Sequence, residues 1–327
     1  GEKERTLLEL CQNEEWDEIE KSISEKIEGW DLIGTDYTGD PPLFILAREG
    51  KLSIIEAIHA KKNFFPLPKH LNTLTNEACK SGNVDLVLWC IEHERASLNG
   101  TIVTAIEFGH LDIVKLLFSK GRKFDERNSL GYSCILIAAK HGNLDILKYI
   151  HQNGGSLDDV TDNRENCILL ASLYGHLDMV KWLSQNGNSI HSVDIGNYSC
   201  VLSAACQGKL EVINWLIDNG CSLDEINNFG ETCITIASRE GYIDLIQWLI
   251  EKGQSLSTCS KDGTCIIEAA KNNRIDLVIW MLNNGSSIDE NSYRSEDGNI
   301  STGPSCEKIL KDNGTYEIVK KAMTTKS

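Results

Sequence analysis

One spacing constrains this chain before any other feature. Cys134, Cys167, Cys200 and Cys233 follow one another at steps of 33 residues. Gly142, Gly175, Gly208 and Gly241 keep the same step, as do Gly154, Gly187, Gly220 and Gly253. A fixed period of about 20–50 residues is the signature of a solenoid, in which each unit buries its apolar face against its neighbours. Chain length then sets the number of units rather than the number of domains.

Residues 131–163 show one unit in full. Ser133 is a helix N-cap type, replaced in later units by Asn166, Ser199, Thr232 and Thr264. A first helix is predicted from Cys134 to about Lys140, with Ile135, Ala138 and Ala139 as its apolar face. The small pair returns as Ala171–Ser172, Ala204–Ala205, Ala237–Ser238 and Ala269–Ala270, which lets a neighbouring helix approach closely. Gly142 turns the chain. A second helix is predicted from about Leu144 to Gln152, apolar at Leu144, Leu147 and Ile150. Asp145 sits in its first turn, where a carboxylate favours the positive end of the helix dipole. Gly154 suits a left-handed C-cap, and Ser156–Asn163 reads as an extended turn.

This unit resembles the ankyrin repeat. The family pattern G-x-T-P-L-H-x-A-A-x-x-G-H-x-x-V-x-x-L-L-x-x-G-A is matched by GNYSCVLSAACQGKLEVINWLIDNG over 196–220. The resemblance implies an all-α ankyrin-repeat solenoid with a short β-hairpin-like finger in each repeat. Two departures stand out. The family's proline at the first helical turn is cysteine, Pro42 excepted. The family's histidine is Leu136, Leu169, Leu202, Thr235 or Ile267, which puts the stiffness of the turn region in question.

Counting outwards from the regular repeats gives about ten stacked helix pairs, centred on 14, 50, 82, 109, 142, 175, 208, 241, 273 and 314. The expected organisation is one array over 1–327. Residues 1–36 form an acidic capping repeat, 37–130 irregular repeats and 131–290 regular repeats. Residues 291–304 are a polar insertion, and 305–327 a degenerate last repeat. The step shrinks to 27 between Gly82 and Gly109, which shortens the loop near Ser97–Asn99. The insertion reads as a loop; the alternative is a phosphorylated switch using Ser292, Tyr293, Ser295, Ser301 and Thr302.

A net charge of −16 disfavours nucleic acid, whose binding rests on Lys and Arg neutralising phosphates, and it disfavours anionic membranes. It favours encounter with a basic protein segment. No apolar run approaches the roughly 18 residues of a membrane span, and there is no signal-peptide pattern. Six of the twelve cysteines occupy one repeat position. Stacked helices lie about 8–10 Å apart, beyond the reach of a disulfide or a shared zinc ion. The cysteines are therefore expected to be reduced, buried and structural, in a cytoplasmic setting or, for a secreted effector, a host cytosol. Sequons at Asn99, Asn197, Asn284, Asn299 and Asn313 point weakly the other way.

No enzyme signature survives the periodicity. No protease motif surrounds a cysteine, the acidic residues repeat as helix starts, and no phosphate loop is present. The eight histidines are scattered, so neither a metal site nor a cofactor is expected. An aromatic column, Trp89, Tyr149, Trp182, Trp215, Trp248 and Trp280, is either wedged between second helices or exposed as a binding stripe.

What fails to repeat is the better guide to binding. In the ankyrin family the groove is lined by the first helices and the fingers. On that basis Phe108, Tyr132, Lys140, His141, Tyr174, Tyr198, Phe229 and Arg239 are the candidate partner-binding residues, alongside variable finger positions such as Asp159, Thr161, Asp194 and Asn227. Asp158, Asp224 and Asp289 stand where some family members are hydroxylated, and are candidate modification sites. The expected function is a monomeric, non-catalytic scaffold that binds a partner protein through its concave groove and fingers. The alternative is the targeting region of a larger effector or enzyme.

Overall fold

The computed structural model describes residues 4–35, 39–296 and 299–325; the side chains of 294–300 lie outside that description. The chain forms two compact units, Gly1–Gly155 and Ser156–Ser327. Each carries five helix pairs.

In the first unit the pairs are α1 (Leu7–Gln12) with α2 (Trp16–Lys26), α3 (Pro42–Arg48) with α4 (Leu52–Lys61), and α5 (Leu74–Ala78) with α6 (Val84–Glu94). They continue as α7 (Thr101–Glu107) with α8 (Leu111–Ser119), and α9 (Cys134–His141) with α10 (Leu144–Gln152). In the second unit they are α11 (Cys167–Tyr174) with α12 (Leu177–Gln185), α13 (Cys200–Cys206) with α14 (Leu210–Asp218), and α15 (Cys233–Glu240) with α16 (Ile243–Glu251). The last two are α17 (Cys265–Lys271) with α18 (Ile275–Asn283), and α19 (Cys306–Asp312) with α20 (Tyr316–Thr324). Within each unit, first helices stack on first helices, as α11 on α13 and α13 on α15.

These helices run mostly 7–11 residues, and isolated helices shorter than about 12–15 residues are marginal in water. Stacking must stabilise them, and the burial pattern shows how. In α9 every residue from Cys134 to Ala139 is buried, so the helix has an apolar surface all round rather than the single predicted face. In α10 the buried set is Ile146, Leu147 and Ile150; Leu144, expected in the core, is only half-buried. The six column cysteines are fully buried, as their spacing implies.

At Gly175 and Gly208 the glycine after the first helix has two reasons to be glycine. Gly208 sits at φ +65°, where a side chain is strained. The next repeat also lies on it: a Cβ at Gly208 would come within 3.0 Å of the Tyr242 ring, and one at Gly175 within 2.6 Å of Lys209. The residue that covers the glycine reaches further, to a carbonyl at the end of the preceding first helix. Asn143 Nδ2 donates to Ile106 O at 2.9 Å in the first unit, and Arg274 Nε to Arg239 O at 3.0 Å in the second.

The polar insertion is not an irregular loop. Asn291–Glu296 (β1) and Asn299–Ser305 (β2) pair antiparallel as a hairpin between α18 and α19. Its base is fixed: Tyr293 N–H donates to Asp262 O at 2.8 Å, and the fully buried Ser292 donates its hydroxyl to Pro304 O at 2.7 Å. Of the residues in the alternative phosphorylated-switch reading, Ser292 is thereby buried, and the side chain of Ser295 lies outside the described residues.

Candidate functional site

In the second unit each finger is a tight turn held by the side chain of its first residue. Asp194 Oδ1 accepts from Gly196 N and Tyr198 N, both at 2.8 Å. Asn227 Oδ1 accepts from Phe229 N at 2.9 Å and Glu231 N at 3.0 Å. Thr161 Oγ1 accepts from Glu165 N at 3.2 Å, and Ser260 Oγ from Asp262 N at 3.1 Å. Thr161, Asp194, Asn227 and Ser260 share the 33-residue step. Of the variable finger positions singled out in the sequence, Thr161, Asp194 and Asn227 thus commit their side chains to the turn. All four side chains accept from a main-chain N–H of their own turn, two or four residues on. Thr161, Asn227 and Ser260 are buried.

The turns are then joined to one another. Ile195 N–H donates to Asn163 O at 2.9 Å, and Asn228 N–H to Gly196 O at 3.0 Å. Lys261 Nζ adds a bond to Asn228 O at 2.6 Å. Side chains share in this row, Asn197 Nδ2 donating to Ile226 O at 3.0 Å and Asn228 Nδ2 to Ile195 O at 3.3 Å, while other finger side chains take no part in it. Several of them are apolar and in water: Ile195 is 61% exposed, Phe229 56%, Ile226 54%, Val193 47% and Val160 46%. Val160, Val193 and Ile226 also keep the 33-residue step. The available signal was apolar residues recurring in an otherwise polar stretch.

The predicted binding residues fall into separate groups. Phe108 is exposed, with Lys80 Nζ 5.7 Å from its ring centre. Tyr132 is half-buried with Lys140 Nζ at 5.7 Å, and His141 is exposed. Tyr174 is half-buried and stacks on His176 at 6.5 Å. Tyr198, Phe229 and Arg239 are brought together around Glu231. The Tyr198 hydroxyl donates to Glu231 Oε1 at 3.0 Å, and the Tyr198 and Phe229 rings lie 6.4 Å apart. Arg239 pairs with both Glu231 and Glu240. Burial pushes the Tyr198 hydroxyl up to about 12. Burial works against the Arg239 charge, but Glu231 and hydrogen bonds to Tyr198 and Glu240 outweigh it and raise its pKa. Tyr198 and Arg239 thus brace the finger from beneath, while Phe229 projects from it.

Asp158, Asp224 and Asp289 are exposed at equivalent loop positions, where the N–H of each donates to the serine two residues before it. The aromatic column is half-buried throughout, neither sealed nor a free stripe. Asn153, Asn186, Asn219 and Asn284 each donate to the carbonyl of its aromatic residue four positions back, at 2.7–2.8 Å, closing the second helices. Burial pushes the thiols of Cys134, Cys167, Cys200, Cys265 and Cys306 up to about 12, which makes them poor nucleophiles. The histidines are scattered in sequence, yet one of them meets two other potential ligands in space. His191, Cys221 and Glu225 converge, with their ligand atoms all within 4.8 Å of one another.

The family model for ankyrin repeats (three copies) matches residues 102–194 and 201–292, more than half of the chain. The chain belongs to the ankyrin repeat family. No curated protein matches it. Ankyrin repeats are generally protein–protein interaction modules and typically non-catalytic. Among the described residues, no helix is long and apolar enough to cross a membrane.

The two departures from the ankyrin pattern find physical substitutes. The cysteine in place of proline directs its thiol at the preceding finger, as Cys265 Sγ does to Thr258 O at 3.6 Å. At three repeats the N-cap side chain binds a residue 26 positions later in the next repeat. Asn166 Nδ2 donates to Ser192 Oγ at 3.1 Å, Ser199 Oγ to Glu225 Oε2 at 2.5 Å, and Thr264 to Glu290. These bonds help hold the turn region.

Proposed function

We propose that this chain is a non-catalytic scaffold that binds a partner protein along the finger row of its second unit. The apolar column Val160, Val193 and Ile226, with Ile195 and Phe229 beside it, carries this reading. Apolar side chains held on a pre-ordered main chain offer a surface whose ordering cost is already met. Phe229 serves as the anchor, since aromatic residues dominate interface energies. Asp158, Asp162 and Asp224 are exposed on the same loops, so the partner segment is extended, apolar and basic. Phe108, Tyr132, Lys140, His141 and Tyr174 are secondary contacts on this reading, and Asp158, Asp224 and Asp289 the positions where hydroxylation would alter it. A monomer in a reducing compartment suits a chain with ten buried cysteines.

The test is unbiased capture from candidate host cells with the full chain as bait. A bait carrying Val160→Ser, Val193→Ser, Ile226→Ser and Phe229→Ala should lose the captured protein while keeping its helical circular dichroism. Undiminished capture by the well-folded variant would refute the finger row as the binding surface. Loss with a Phe108→Ala, Tyr174→Ala bait alone would move it to the first-helix faces.

A further inference from the structure

We propose that His191, Cys221 and Glu225 form a binding site for one zinc-class divalent ion that links the loops of two consecutive repeats. His191 lies between α12 and α13; Cys221 and Glu225 lie between α14 and α15. Their ligand atoms are all within 4.8 Å of one another. Zinc held tetrahedrally, with nitrogen and oxygen at about 2.0–2.2 Å and sulfur at about 2.3 Å, needs donors roughly 3.3–3.8 Å apart. The donors would therefore draw together by up to about 1.5 Å on binding.

The surroundings suit an ion. The Ser199 hydroxyl already donates to Glu225 Oε2 at 2.5 Å, the kind of outer hydrogen bond that orients a ligating carboxylate. Cys221 Sγ lies 3.7 Å from the carbonyl oxygen of Ile190, the residue next to His191. The His191 main chain is pinned, its N–H donating to Ser189 Oγ at 3.0 Å. Cys221 is 7% exposed and Glu225 half-buried, so the ion would arrive past His191 and keep one position for water.

The donor set also selects the ion. A thiolate, a carboxylate and a neutral imidazole neutralise a 2+ charge, and thiolate with imidazole suits zinc or cobalt rather than magnesium or calcium. Burial, with Glu225 nearby, pushes the Cys221 thiol up to about 11. Binding must therefore displace the thiol proton to solvent, as metal binding to cysteine does.

The experiment titrates the chelator-stripped full chain with zinc and with cobalt(II), followed by calorimetry and absorption. One equivalent of zinc should bind. Cobalt should give a thiolate charge-transfer band that zinc abolishes. Cys221→Ser should remove the band. His191→Ala, at an exposed position that leaves the fold intact, should weaken binding at least about tenfold, and Ser199→Ala by about tenfold through the lost outer hydrogen bond. Cys259→Ser, which removes the one exposed thiol, should change nothing. The absence of saturable binding would overturn the proposal. So would a band that survives in both Cys221→Ser and His191→Ala, or one lost only in Cys259→Ser.

Discussion

In Ser156–Ser327 the fingers are joined through their main chains, at Ile195 to Asn163, Asn228 to Gly196 and Tyr293 to Asp262. In Gly1–Gly155 side chains take over much of that holding. The start of α5 is held by Glu94, whose carboxylate accepts from Leu74 N at 2.7 Å and from Thr75 N and Oγ1 at 2.9 and 2.7 Å. Where the repeat step shrinks to 27, Gly100 at φ +80° starts α7 and its N–H donates to Glu126 Oε2 at 3.1 Å. The rings of His59, Phe64, Phe65, Trp89 and His93 pack together beside α4 and α6. Regular spacing lets main-chain bonds help join the fingers and leaves apolar side chains such as Val160, Val193 and Ile226 in water. Irregular spacing commits side chains to the fold. On that contrast rests the proposal that the binding surface lies in the second unit.

Substitutions at matched positions put the contrast at risk. The largest effect is expected at Glu231, which braces its finger through Tyr198, Asn227 and Arg239. Glu231→Ala should cost about 2–3 kcal/mol in urea unfolding. That is below the cost of breaking a fully buried pair, because the Arg239 side chain remains 25% exposed. Gly208→Ala should cost about 1–2 kcal/mol from the left-handed backbone, with the Tyr242 ring adding to it. Ser199→Ala should cost about 1 kcal/mol, because its hydroxyl accepts from Leu202 N at 3.2 Å and donates to Glu225. Ser133→Ala, at the equivalent position of the first unit, should be nearly silent in the same titration, because the Ser133 hydroxyl is buried without a partner.

The smallest effect concerns pH. Burial raises the Glu268 carboxyl above its ordinary value, opposed by the Ser260 hydroxyl and assisted by Asp262 and Glu231. The folded chain therefore keeps this proton to a higher pH than the unfolded chain does. Stability from this group is full below the ordinary carboxyl range and declines as pH rises through the raised folded value. Glu268→Gln should flatten that part of the stability–pH profile and leave the protein no less stable at pH 7. A profile as steep as that of the unaltered protein would contradict the assignment.

Much of the fold was legible because it repeats. Cys134 and Gln152 bound the first and second helices of their repeat where sequence placed them, and helix pairs were found even in the irregular stretches. What was illegible depended on partners distant in sequence or on exposure. A polar composition hid the hairpin at 291–305, which is an outgrown finger fixed by a main-chain bond to Asp262. Thr161 and Asn227 looked variable because four residue types can close one turn. Nothing in the sequence showed that Val160, Val193 and Ile226 are exposed. His191 and Cys221 stand 30 residues apart, and nothing in that spacing reveals that adjacent loops bring them together.

Amide hydrogen exchange of the full chain, with and without the captured partner, measures most directly where that partner sits. The account predicts slowed exchange over 159–164, 192–198 and 225–231, with the second helices α12, α14 and α16 unchanged. Protection confined to those second helices, or to Gly1–Gly155, would contradict it.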